Sequence, residues 1–151
     1  MLAPRLKEFL DANGVKYITI PHRQAYTAME VAETAHVRGQ DMAKTVIVDL
    51  DGRLAMAVLP ATKHVSVSRL EKSVGAQHVE IAHEGEFRFD FPDCEVGAMP
   101  PFGNLFNMEV LVDPALAEDE EIVFNAGTHA EVVRMAYKDF DRLVHPRTAV
   151  M

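Results

Sequence analysis

Residues 44–50 and 53–59 are two apolar runs separated only by Asp51-Gly52. Asp-Gly between apolar runs favours a type I′ turn, whose two central residues both need positive φ. Each run is apolar on both of its faces. A strand pair of that kind belongs in the middle of a sheet that is covered on both sides. The chain must therefore supply further strands beside the hairpin and helices above and below it.

The rest of the sequence offers those elements in mixed order. Leu2, Leu6, Phe9 and Leu10 form the apolar stripe of a first helix that Asn13-Gly14 stops. Residues 15–20 read as a strand closed by Pro21. Thr27 and Glu30 make a capping box ahead of a small-residue helix, with Ala28, Val31, Ala32 and Ala35 on its buried face. Ser68 and Glu71 make a second capping box, and Gly75 ends that helix. Strands are expected over 77–81, 108–112, 121–125 and 131–135. A short helix or turn is expected over 83–89, an acidic turn over 118–121, and a closing helix over 137–144. The tail after His145-Pro146 is expected to be loose. Strands and helices do not alternate as in a doubly wound fold. The expectation is an α+β domain, one unit over 1–151, with a mixed, partly closed, barrel-like sheet surrounded by short helices.

Charge and composition narrow the function. The formal net charge of -8 argues against a broad phosphate-binding surface but allows a local patch for the end of a nucleic acid. Cys94 is the only cysteine, so no internal disulfide forms and a reducing cytoplasm is expected. No run reaches the roughly 18 apolar residues of a membrane span, and residues 1–8 lack the apolar stretch of a signal peptide. The seven histidines include no His-Glu-x-x-His and no Cys/His pair at zinc spacing, so no metal is expected. His78 and His83 are spaced poorly for one helix face. Phosphate-loop and Gly-x-Ser-x-Gly motifs are absent, and Cys94, with no base near it in sequence, reads as packed.

Three segments carry polar chemistry. Lys44 stands just before Thr45-Val46-Ile47-Val48. It is either a solvated strand-end lysine or a partly desolvated ammonium able to hold a phosphate or polarise a carbonyl. Gly97-Ala98-Met99-Pro100-Pro101-Phe102-Gly103 is a loop stiffened by two prolines. It is either a structural turn with a buried Phe102 or an oxyanion hole of backbone amides. Asn125, Thr128 and His129 gather an amide, a hydroxyl and an imidazole on one connection. They are either the polar tip of a hairpin or a means to fix a substrate amine or orient a water.

The order of Tyr26-Thr27-Ala28-Met29-Glu30-Val31-Ala32, Ala43-Lys44-Thr45, Gly97-x-x-x-Pro101-Phe102-Gly103 and Phe124-Asn125-Ala126-Gly127-Thr128 resembles the YbaK/ProX family of aminoacyl-tRNA deacylases. The same domain is inserted in bacterial prolyl-tRNA synthetases. The resemblance runs from about residue 4 to residue 144, and Pro100 ahead of the matched Pro101 departs from the pattern. It implies free-standing trans-editing: hydrolysis of the ester joining a wrong amino acid to tRNA, tRNA(Pro) carrying alanine or cysteine first, with serine and threonine also open. It implies no cofactor, no metal and no covalent nucleophile. Lys44 matches the lysine near the substrate carbonyl, and Gly97 and Ala98 match the loop that holds the carbonyl oxygen. Water, the ribose hydroxyl or the substrate side chain completes the reaction. Tyr26, Thr27, Pro101, Phe102, Gly103, Asn125, Gly127, Thr128 and His129 match the substrate-binding region. The expected partner is the acceptor end of an aminoacyl-tRNA, with a synthetase or elongation factor supplying affinity to a monomer or weak homodimer. The alternatives are a non-catalytic module that binds an aminoacyl or nucleotide end, and a structural interaction domain with a filled cleft beside Lys44.

Overall fold

The computed structural model describes residues 2–151. The hairpin is its centre. Strand β2 (Met42–Leu50) pairs antiparallel with β3 (Arg53–Pro60), in register from Ala43↔Pro60 to Leu50↔Arg53. Asp51 at φ 51° and Gly52 at φ 95° make the two left-handed turn positions. The Asp49 carboxylate accepts the Gly52 N–H at 2.6 Å and closes the turn.

Beyond β3, β5 (Glu109–Val112) adds in parallel, and β8 (Arg147–Thr148) adds in parallel to β5. The other edge of β2 carries two different neighbours. At Met42 and Ala43 it pairs in parallel with β6 (Glu121–Asn125); at 48–50 it pairs antiparallel with β4 (Val79–Ile81). β7 (Glu131–Ala136) and β1 (Tyr17–Pro21) continue antiparallel beyond β6. The mixed α+β sheet is as expected, but its closure is not. The path β1-β7-β6-β2-β3-β5-β8 is open. Because β4 and β6 diverge along one edge of β2, the sheet splays there, over residues 44–47.

The two faces of β2 alternate as strand geometry requires. Ala43 and Ile47 face the larger core with Met56, Val58, Phe124 and Val133. That core is completed by Leu6 and Leu10 of α1 (Pro4–Ala12), Phe102, and Phe140 of α6 (Tyr137–Val144). The opposite face holds two separate patches. Met42, Val123 and Val132 lie under Val31 and Ala32 of α2 (Ala28–Thr34). Val48, Leu50, Ala55, Ala57 and Leu59 lie under Leu70 of α3 (Val67–Val74). Lys44 falls between the two patches on this face.

Helix caps follow the sequence with one correction. Thr27 Oγ1 accepts the Glu30 N–H at 3.1 Å and donates to the Glu30 carboxylate at 2.8 Å. α3, however, is capped by Ser66, whose Oγ accepts the Arg69 N–H at 3.4 Å. Glu71 is drawn away from the expected box with Ser68 because its carboxylate accepts the Val79 N–H at 3.0 Å. Gly75 ends the helix at φ 72°, and residues 84–87 form the short helix α4 (Glu84–Phe87). Residues 114–117 form the short helix α5 (Pro114–Ala117), an element the sequence analysis did not foresee. The tail is not loose. After His145 turns the chain at φ 54°, β8 pairs with β5, and Ala149 and Met151 are buried. Among the described residues no helix is long and apolar enough to cross a membrane.

Candidate active site

Lys44 is half-buried, and its strand partner across the hairpin is Leu59. Burial pushes its pKa below the ordinary lysine value, since desolvation disfavours the charged form. No carboxylate offsets this: among the described residues its ammonium has no hydrogen bond or ion pair. Such a cation is poised for an anion or a carbonyl oxygen from outside. The parallel register Met42↔Val123, Ala43↔Phe124 makes Lys44 and Asn125 the next positions along β2 and β6. Asn125 is buried, and its side-chain oxygen has no hydrogen-bond partner among the described residues.

From Asn125 the chain turns back toward the glycine–proline loop. Gly127, at φ 109°, donates its N–H to the Ala98 carbonyl at 2.9 Å, while its own carbonyl accepts the Glu95 N–H at 2.8 Å. Gly127 also lies against Ala3, so close that an added Cβ would stand 2.7 Å from the Ala3 Cβ. Gly97 adopts φ 89°, and a Cβ there would meet His129 Nε2 at 3.4 Å. The two segments are thus tied together at Gly127 and brought face to face at Gly97 and His129.

The amides of the loop are not equivalent. The Ala98 N–H is donated to the Glu95 carbonyl at 3.0 Å, and Ala98 is fully buried. It is therefore not free for a substrate oxygen. Among the described residues the Gly97 N–H meets only the Met99 sulfur, at 3.2 Å, a weak acceptor. Phe102 is a core residue, not a pocket wall: its ring lies 6.0 Å from Phe9, 5.4 Å from Phe124 and 5.5 Å from Phe140. Pro101 is buried beside it. Gly103 has no room for a side chain against the Met108 carbonyl, and a Cβ would also stand 2.7 Å from Val110. These three residues shape the loop from beneath.

His129 is 6% exposed. Its Nδ1 lies 2.7 Å from Glu95 Oε1, which also accepts the His129 backbone N–H at 2.9 Å. That backbone N–H, with the imidazole beside it, holds the Glu95 carboxyl below the usual carboxylate range. The exposed Tyr26 ring packs at a tilt of 46° against the imidazole, with ring centroids 4.9 Å apart. Thr27, next to it, uses its hydroxyl in the α2 cap, and Thr128 Oγ1 accepts the Ala130 N–H at 3.3 Å. Glu95 is the partner of His129 that no motif singled out. Its partner is 34 positions away, and only the tertiary fold joins them. Clefts of about 720 Å³ beside Tyr137 and about 860 Å³ beside Arg23 and Glu30 open elsewhere, and Lys44 lines neither.

Two features stand out: Gly97 and His129 face each other across two tied segments, and Lys44, a cation unpaired among the described residues, lies where the open α+β sheet splays. The profile of the aminoacyl-tRNA editing domain matches residues 22–143. The chain belongs to that family, whose reaction is hydrolysis of the aminoacyl ester of a tRNA. It is 26% identical over 147 residues to the Escherichia coli "Multifunctional Ser/Thr-tRNA deacylase ProXp-y", covering 94% of this chain and 87% of that protein. It is 25% identical over 88 residues to a proline–tRNA ligase of Bacillus mycoides, covering 58% of this chain and 15% of the ligase. A solved structure described as a candidate trans-editing enzyme for prolyl tRNA synthetase shares the fold, with a TM-score of 0.80 and 19% identity over 98% of this chain and 94% of that one.

Proposed function

We propose that the chain is a free-standing, cytoplasmic trans-editing deacylase that acts as one domain over 1–151 and removes a small amino acid from a mischarged tRNA. The substrates to place first are alanine and cysteine on tRNA(Pro). Serine and threonine stand close behind, since the Escherichia coli relative is named for Ser/Thr-tRNA. The observation that carries the reading is the unpaired, partly desolvated Lys44, one position beyond the last pair that β2 makes with β6, as Asn125 is on β6. Lys44 draws the ester carbonyl or the terminal phosphate, and its charge counts for more where water is partly excluded. The Gly97 N–H receives the developing oxyanion in place of the Met99 sulfur. Asn125 offers its unpaired oxygen to the substrate amine. Tyr26 and His129 wall the aminoacyl pocket, and Gly127 and Thr128 hold their connection in place. A synthetase or elongation factor supplies tRNA affinity that this acidic chain lacks.

A deacylation panel tests this, with one tRNA(Pro) charged in turn with alanine, cysteine, serine and threonine. The expected result is hydrolysis above the spontaneous rate for at least one of the four. The non-catalytic alternative gives saturable binding of an aminoacyl-adenosine mimic with no excess free amino acid. Pocket walls separate one methylene by only about 1–3 kcal/mol, so the panel is also the direct route to the amino acid removed.

A further inference from the structure

Glu95 and His129 form a pair whose geometry selects one tautomer of the neutral ring. A carboxylate has no proton to give. With Glu95 Oε1 at 2.7 Å from Nδ1 and 2.9 Å from the His129 backbone N, both nitrogens donate to it. In the neutral ring Nδ1 then carries the proton and Nε2 keeps its lone pair. Nε2 has no hydrogen-bond partner among the described residues, and it faces Gly97, where a Cβ would lie at 3.4 Å. The ring is held from other directions too. Tyr26 packs against it at a tilt, ring centroids 4.9 Å apart, and the His129 carbonyl accepts the Ala25 N–H at 3.1 Å.

We propose that Glu95 is a positioning residue for editing: it locks His129 in the Nδ1–H tautomer, so that Nε2 accepts a proton beside the Gly97 loop. This rests on the reading of the site as ester-hydrolysing. A water oxygen adds to the aminoacyl carbonyl carbon while one of its protons passes to Nε2. The carbonyl π pair moves onto the carbonyl oxygen, toward the Gly97 N–H. The intermediate then re-forms the carbonyl and breaks the bond to the ribose oxygen. That oxygen leaves with the electron pair and takes the proton back from Nε2. The products are the free amino acid and the tRNA hydroxyl, and His129 is neutral again. Between the two transfers the ring is an imidazolium, and the Glu95 charge stabilises it from the Nδ1 side.

A merely structural Glu95 would staple the 95–98 segment to the 127–130 segment, which backbone bonds between Glu95, Ala98 and Gly127 already do. The test separates the two roles. Glu95→Ala, Glu95→Gln, His129→Ala and the Glu95→Ala/His129→Ala double variant are compared with wild type. The substrate is whichever charged tRNA(Pro) of the panel the wild type hydrolyses fastest. The expected loss in kcat is about 100-fold for Glu95→Ala and about 10-fold for Glu95→Gln, with KM changed less than about threefold. The double variant is expected to be no slower than His129→Ala alone. Nitrogen-15 NMR of the imidazole should show protonated Nδ1 and bare Nε2 in wild type, and a mixture of tautomers in Glu95→Ala. A folded Glu95→Ala or Glu95→Gln enzyme at wild-type rate overturns the proposal, as does additive loss in the double variant or an unchanged tautomer. If those occur while wild type hydrolyses the panel and Lys44→Met loses its rate, only the Glu95 role fails. If wild type hydrolyses none of the panel, the site reading and this inference fall together.

Discussion

At the residue scale, Lys44 makes opposite demands on stability and activity. Its pKa is lowered in the fold, so the unfolded chain binds the proton more tightly. The folded state is therefore penalised by this group below the folded pKa, and the penalty fades as pH rises through the ordinary lysine value. Lys44→Met keeps the apolar stem and removes the charge. Thermal melts should show it at least as stable as wild type at pH 7, with any advantage shrinking toward pH 10. Its kcat for deacylation should fall about 100-fold or more, the usual cost of losing one oxyanion-stabilising group. A Lys44→Met variant that melts lower at pH 7 and keeps full activity would remove both arguments. Gly97 is a second single-residue case. Alanine there meets both φ 89° and the His129 ring, so Gly97→Ala should lose about 1–2 kcal/mol in urea titration as well as rate. Lys44, Gly97 and His129 were singled out as candidates from the sequence because their residue types are unusual where they stand. Glu95 was not, because nothing in spacing reveals a carboxylate that closes on an imidazole 34 residues later. Ala98 and Phe102 were legible as members of the loop. That the Ala98 N–H turns back to Glu95, and that Phe102 joins Phe9 and Phe140, are decided by packing.

At the scale of elements, local chemistry was readable wherever one residue type has one use. Asp51-Gly52 gave the hairpin because left-handed φ at both positions leaves few other outcomes. Thr27 and Glu30 gave the start of α2 in the same way. The start of α3 was misread because two serines compete. Ser68 has glutamate three residues on and Ser66 does not, yet Ser66 is the cap, since the helix begins at Val67 and Glu71 holds β4 through the Val79 N–H. A tertiary contact outweighed a local pattern. The consequence is measurable in denaturant titrations. Ser66→Ala should lower stability by about 1 kcal/mol, the usual worth of an N-cap. Ser68→Ala should change it by less than about 0.5 kcal/mol, because its hydroxyl touches only the Ser66 hydroxyl at 3.4 Å. The reverse ranking would restore Ser68 as the cap.

At the scale of the whole molecule, the open sheet places Lys44. It lies where β6 and β4 part along β2, so its setting depends on how the sheet ends as well as on its own neighbours. The C-terminal segment shows how far that dependence reaches. β8 closes the far edge, the Arg147 guanidinium donates to the Val74 carbonyl at 3.1 Å, and the Val150 N–H donates to Ser73 Oγ at 2.9 Å. These bonds tie the tail to α3, the helix that covers one of the two patches flanking Lys44. Met151 is 3% exposed within that same patch. A sequence reading misses this because His145-Pro146 looks like an exit, and only the neighbouring strand β5 reveals an unfilled edge. Burying one methionine side chain is worth about 1.5–3 kcal/mol. Deleting residues 147–151 should therefore lower the urea-extrapolated stability by about 3 kcal/mol. It should also reduce deacylation by the remaining folded protein, because α3 loses its anchor. A truncated protein with unchanged stability and rate would show that the tail only rests on the surface, and that the position of α3 is set by the β2–β3 face alone.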